Sequence, residues 1–200
     1  MSKIYIFDIT KEKDWNSLEN KIPLSFLEHC EKYKTERAYH LSLAAYYMLF
    51  CYLEEKGVNK KYIEYKQDSY EKPFIKGTQF NIAHSYNLSV LYVSDTVCGV
   101  DVEMIRKDKD YSKLATLIYP ENKEYRPIED NQEFVELWSK KEAKIKYIGT
   151  GIKNNPLKEV KVDDTKTLVI SDVFNNEYAL SYLNMHSRTS DGSAQWPRPQ

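Results

Sequence analysis

Apolar and polar positions along this chain switch between a period of two and a period near 3.6, and the switches mark its elements. Ile4-Tyr5-Ile6-Phe7 opens the chain as a strand, and Met1 to Thr10 lacks the apolar core of an export signal. Asp14 to Asn20 reads as a polar turn, and Leu24 to Tyr33 as a short helix turning Leu24, Phe26, Leu27 and Cys30 inward. Thr35 can cap a second helix that reaches about Lys56, is apolar nearly all round from Leu41 to Leu53, and stops at Gly57. A helix of that kind belongs in the middle of a fold. Tyr62 to Tyr65 predicts a strand, and Gln67 to Gly77, with Lys72-Pro73 inside it, a loop or sheet edge.

Residues 80–84, 88–94 and 97–103 alternate as three strands and predict an antiparallel meander. Leu114 to Tyr119 and Glu121 to Tyr125 are short helical segments bounded by Pro120 and Pro127. A long helix through Trp138 to Lys146 ends at Gly149 and Gly151, and 160–162, 168–173 and 178–183 follow as strands. The order is α+β in two halves, residues 1–104 and 105–185. Residues 186–200 are polar and aperiodic and read as a disordered or foreign tail.

Two stretches put charge where the pattern calls for apolar groups. In Gly99-Val100-Asp101-Val102-Glu103 the period of two sends Asp101 and Glu103 to one face and Val100 and Val102 to the other. In the long helix, Phe134, Val135, Leu137, Trp138, Ile145 and Ile148 share an arc that also contains Lys141 and Glu142, with Lys146 at its edge. Charges in a core-facing stripe are costly unless an ion, a ligand or an opposite charge meets them. Asp101, Glu103 and Glu142 offer the oxygen ligands that magnesium prefers, although an acid-x-acid strand end alone is more often a solvated sheet edge. Lys141 and Lys146 could pair with carboxylates or hold phosphate. His84-Ser85 at a strand end could bind phosphate or serve as structural hydrogen-bonders, and Lys72-Pro73 alone reads as an edge turn.

Composition narrows the field. With 29 basic and 30 acidic residues the net charge is -1, which argues against a general nucleic-acid binder. Three scattered cysteines suggest neither a disulfide framework nor a Cys-x-x-Cys metal site, and fit a cytoplasmic protein. The apolar run Leu43 to Tyr52 is too short to span a bilayer, so no membrane partner is expected.

In order, Tyr70 to Pro73, Phe80 to Ser85, Gly99 to Glu103, and Trp138 to Lys146 with Gly149-Thr150-Gly151 resemble the surfactin-synthetase-activating (Sfp-like) class of 4′-phosphopantetheinyl transferases. The resemblance implies a pseudo-twofold α+β fold, monomeric, with coenzyme A between the halves and an apo acyl or peptidyl carrier protein as acceptor. It implies magnesium on Asp101, Glu103 and Glu142, with Glu142 as general base and Lys146 on the pyrophosphate. His84, Ser85, Lys72 and Pro73 would line the nucleotide and its phosphates, with Ser42, Lys32 and Arg37 as candidates for the 3′-phosphate. Glu71, Ala83 and His40-Leu41 depart from the family's usual glycine, serine and arginine. A coenzyme A-binding or carrier-binding module without catalysis, and a metal-dependent pyrophosphate hydrolase, are the alternatives.

Overall fold

The computed structural model describes residues 2–60, 63, 65–67, 73–119, 124–126, 129–149, 151 and 157–184. Strand β1 (Lys3–Asp8) leads through short helices α1 (Trp15–Glu19) and α2 (Leu24–Cys30) into the long helix α3 (Glu36–Glu55). Two-residue strands β2 (Lys66–Gln67) and β3 (Pro73–Phe74) pair with each other, and the hairpin β4 (Gln79–Ser85) and β5 (Leu88–Ser94) follows. Then come β6 (Cys98–Met104), α4 (Ser112–Ile118), α5 (Asn131–Ile148), β7 (Lys166–Ser171) and β8 (Glu177–Asn184).

The Asp14 to Asn20 segment is a helix because the Asp14 carboxylate caps it, accepting from the Ser17 N–H at 3.1 Å. Thr35 caps α3 as expected, its hydroxyl accepting from the Ala38 N–H at 3.2 Å. This helix fills the core of the first sheet, order β1-β5-β4: Leu43, Leu49 and Leu53 meet Phe26, Phe80, Leu91 and Val93. Gly149 closes α5 in the left-handed conformation (φ 80), its N–H donating to the Ile145 carbonyl at 2.9 Å.

The expected meander forms only in part: β4 and β5 pair as an antiparallel hairpin, but β6 does not join them. β1 and β4 occupy both edges of β5, leaving it no free edge, so β6 joins a second sheet of order β6-β8-β7. The two sheets meet through Ala83, Val90 and Tyr92 on one side and Val100, Val102, Tyr178 and Leu180 on the other. At this seam the side chains of β4 do what a ladder would do. Asn81 Oδ1 accepts from the Val100 N–H at 3.4 Å and Ser85 Oγ from the Met104 N–H at 3.1 Å, so a four-residue spacing on β4 matches the same spacing on β6. Other segments differ from expectation in detail. Residues 160–162 form no strand, and Ile63 and Tyr65 lie outside β2. Ile148, placed on the apolar arc, is exposed. Tyr62, Glu64, residues 121–123 and the tail lie outside the described residues. Among the described residues no helix is long and apolar enough to cross a membrane.

Candidate active site

The pleat of β6 turns Val100 and Val102 into the inter-sheet core and gives Asp101 and Glu103 to the face covered by α5. Gly99 lets the helix come close. A Cβ there would fall 2.1 Å from the Ala143 carbonyl oxygen and 2.7 Å from the Tyr147 nitrogen, so only glycine allows α5 to seat on the strand two residues before Asp101. Glu142 and Lys146, one helical turn apart, thereby reach the strand's carboxylates.

One oxygen from each of Asp101, Glu103 and Glu142 lies within 4.8 Å of the other two. Lys146 Nζ donates to Asp101 Oδ1 at 2.7 Å. Asp101 is 3% exposed, and its second oxygen, Oδ2, is buried without a hydrogen-bond partner. Three converging carboxylates, one of them with a buried oxygen that lacks a partner, are the donor set of a hard divalent cation, and the residues fit one. Ser85 supports the set from the other sheet by donating its hydroxyl to Glu103 Oε2 at 3.1 Å. Beside the cluster a cavity of about 210 Å³ runs between Glu103 and Glu142 toward Met104, Trp138, Arg106 and Lys109.

The electrostatics follow from this crowding. Burial, then the neighbouring carboxylates, push Glu103 up to about 7. Burial and Asp101 push Glu142 up to about 7 as well, against the pull of Lys146 and the Trp138 indole. Burial also raises Asp101, opposed by Lys146. Burial disfavours the Lys146 ammonium, but Asp101 and Glu142 outweigh it and raise its pKa. An acid raised on folding stabilises the protein below its unfolded pKa and loses that contribution as pH climbs through the folded value. The metal-free protein should therefore melt about 3–6 °C higher at pH 5 than at pH 8. A divalent cation should shrink the difference. Calorimetric melting across that range checks this, and a flat metal-free profile contradicts it.

The other candidates are placed as follows. Lys141 is buried, and its ammonium donates to the carbonyl oxygens of Leu157 at 2.6 Å and Val160 at 2.9 Å, with Lys158 at 3.5 Å. It ties the loop after α5 to the helix and offers nothing to a phosphate. Ser42 is likewise turned into the core, 5% exposed, its Oγ accepting from the Cys30 thiol at 3.3 Å. It presents no group to a nucleotide. His84 has an open face, and desolvation of its inner side followed by the Lys146 charge lowers its pKa. Pro73 is half-buried in β3, and Lys72 lies outside the described residues. Lys32 is exposed, while the Arg37 guanidinium sits 4.6 Å over the ring of Tyr86, next to Ser85.

Sequence reasoning missed Arg106 and Lys109, which sit in a charged stretch that reads as solvated, and missed what holds them. Asn131, 1% exposed at the start of α5, donates its amide to the carbonyls of Arg106, Lys107 and Lys109 at 3.0, 3.1 and 2.8 Å. No local signal marks such a clamp.

Residues 97–195, which include β6 and α5, match the family model of the 4'-phosphopantetheinyl transferase superfamily. The 4'-phosphopantetheinyl transferase gsp of Aneurinibacillus migulanus is 31% identical over 115 residues, 54% of this chain and 47% of that protein. The L-aminoadipate-semialdehyde dehydrogenase-phosphopantetheinyl transferase of Candida glabrata is 27% identical over 155 residues, 69% of this chain and 57% of that protein. The matches thus span about half the length of these curated relatives. With β6, α5 and the charges they carry inside it, the segment 97–195 belongs to the 4'-phosphopantetheinyl transferase superfamily.

Proposed function

We propose that the protein transfers 4′-phosphopantetheine from coenzyme A to a serine of an apo acyl or peptidyl carrier protein, with magnesium held by Asp101, Glu103 and Glu142. The observation that carries this is the convergence of those three carboxylates, with Lys146 on Asp101, beside an open cavity. Two sheets built alike support a pseudo-twofold arrangement whose division falls before β6 rather than at residue 104: in each sheet the first strand pairs with the last, β1 with β5 and β6 with β8. Each half also closes with a hairpin, β4-β5 and β7-β8. We place coenzyme A between these halves, with His84, Ser85, Lys72 and Pro73 toward the nucleotide.

In the reaction, the serine oxygen forms a bond to the phosphorus of the pantetheine-side phosphate. The bond from that phosphorus to the bridging oxygen breaks, and adenosine 3′,5′-bisphosphate leaves with the electron pair. Glu142, which lines the cavity beside the cluster, is the group we read as general base, taking the serine proton directly or through water. Lys146 holds Asp101 in place and adds positive charge where the leaving phosphate develops negative charge. Magnesium, when bound, supplies charge neutralisation on the pyrophosphate. The reading has the protein act in the cytoplasm as a monomer, without nucleic acid or membrane.

Incubation with coenzyme A, magnesium and a panel of apo carrier proteins should add one phosphopantetheine mass to one serine of the carrier, read by intact-mass spectrometry. Binding of coenzyme A with no transfer to any carrier would instead identify a binding module. Release of adenosine bisphosphate without a carrier would identify a hydrolase.

A further inference from the structure

A second buried carboxylate lies outside the acidic cluster and takes no part in the chemistry above. Asp172, 7% exposed, sits in the turn between β7 and β8. It accepts from the Phe174 and Asn176 N–H groups at 2.9 and 3.0 Å, from Asn176 Nδ2 at 2.8 Å and from the Tyr178 hydroxyl at 2.9 Å. These donors belong to its own hairpin. A further donor does not: Asn87 Nδ2, at 3.0 Å, comes from the two-residue turn between β4 and β5 in the other sheet. Burial opposes the Asp172 charge, but Asn176, Asn87 and Tyr178 outweigh it and hold the carboxyl down at about 2. It is therefore a fixed anion at any ordinary pH.

The turn that Asp172 grips bears on the acidic cluster. Its residue Tyr86 has φ 52, in the left-handed region that an aromatic side chain rarely adopts, so the turn needs outside restraint. The restraints are Asp172 on the Asn87 side chain, the Ile9 N–H on the Asn87 carbonyl at 3.0 Å, and Arg37 over the Tyr86 ring. Ser85, immediately before Tyr86, donates to Glu103 and accepts from the Met104 N–H. We infer that Asn87, anchored by Asp172, is a positioning residue: through the 85–88 turn it holds Ser85 against Glu103 and the end of β6, and so keeps the three carboxylates convergent. The functional half of this inference rests on the metal role proposed for the cluster; the structural half does not.

The test compares Asn87→Ala, which cuts the link between sheets and leaves Asp172 its local donors, with Asn176→Ala, which removes a local side-chain donor and leaves the link. Both are made in the full chain. Amide exchange at Met104, followed by NMR, reads the hold of Ser85 on β6, and calorimetric titration with manganese alone reads the cluster. Asn87→Ala should speed Met104 exchange about tenfold and weaken manganese binding about 3–10-fold, below the loss expected for a residue in direct contact with a metal ligand. Asn176→Ala should lower the melting temperature comparably and leave both readouts at wild-type values. Unchanged Met104 exchange in Asn87→Ala, or an equal change in Asn176→Ala, overturns the inference. If the wild type itself binds no manganese, the proposed metal role fails, and Met104 exchange still decides whether the turn positions β6.

Discussion

Glu142→Gln should abolish function and strengthen the fold at once. The substitution keeps the side chain's shape but removes a carboxylate whose pKa is driven up to about 7 by burial and Asp101. At pH 8 the native protein must hold that group charged in a crowded cluster. Relief of this cost should raise the metal-free melting temperature about 2–4 °C, the shift expected from roughly 1 kcal/mol in a chain of this size. The same change removes the general base and ligand oxygen proposed above, so on that proposal transfer to an apo carrier should fall about 10³-fold. Melting curves and intact-mass kinetics on one preparation check both halves. Full activity in Glu142→Gln would remove the residue from the mechanism, and a lowered melting temperature would show that its charge is satisfied in the metal-free state.

Gly99→Ala should be severely disruptive for a single added methyl. The Cβ would stand 2.1 Å from the Ala143 carbonyl oxygen, a backbone atom that cannot rotate away, and 2.8 Å from the Tyr147 Cβ. Either α5 lifts off β6 or the strand bends, and overpacking against backbone costs about 3 kcal/mol. The melting temperature should drop about 6–12 °C. Because Ala143 adjoins Glu142, the displacement should also separate Glu142 from Asp101 and weaken divalent-cation binding in whatever protein remains folded. Titration calorimetry below the melting transition measures this. Wild-type affinity in the folded variant would mean that close seating of the helix is irrelevant to the cluster.

The contrast between these two residues shows what the sequence could reveal. Asp101, Glu103 and Glu142 were legible because period two on a strand and period 3.6 on a helix each put a charge where an apolar residue belongs, and such a conflict within one element needs no knowledge of its neighbours. Lys141 produced the same conflict with a different resolution, three carbonyl oxygens from a loop, which local periodicity cannot foresee. Assigning Ser42 to the nucleotide failed for a related reason, since its hydroxyl turns toward Cys30 on a neighbouring helix. The strand segments of 80–103 were close to their observed bounds, and the antiparallel pairing of β4 with β5 was legible, but the departure of β6 to the second sheet was not. Which strand takes the free edge of β5 depends on β1, and alternation within 80–103 carries no trace of that competition. Gly99 and Asn131 stayed silent because a missing side chain and a buried amide gain their meaning from what packs on them.

The pairing of β6 has a consequence for the order in which the protein can assemble on a ribosome. Asp101 lies opposite Ser181, about 80 residues later in synthesis, and Glu103 lies opposite Ala179. The sheet around β1, β5 and β4 can close as soon as β5 has emerged, whereas the strand bearing two of the three carboxylates waits for its ladder until the described fold is nearly complete. In the interval, Asn81 and Ser85 are the partners already in place for its Val100 and Met104 amides. The nascent chain thus has a scaffold on which to park a strand rich in valine and acid, and that strand is locked in place only with the final hairpin.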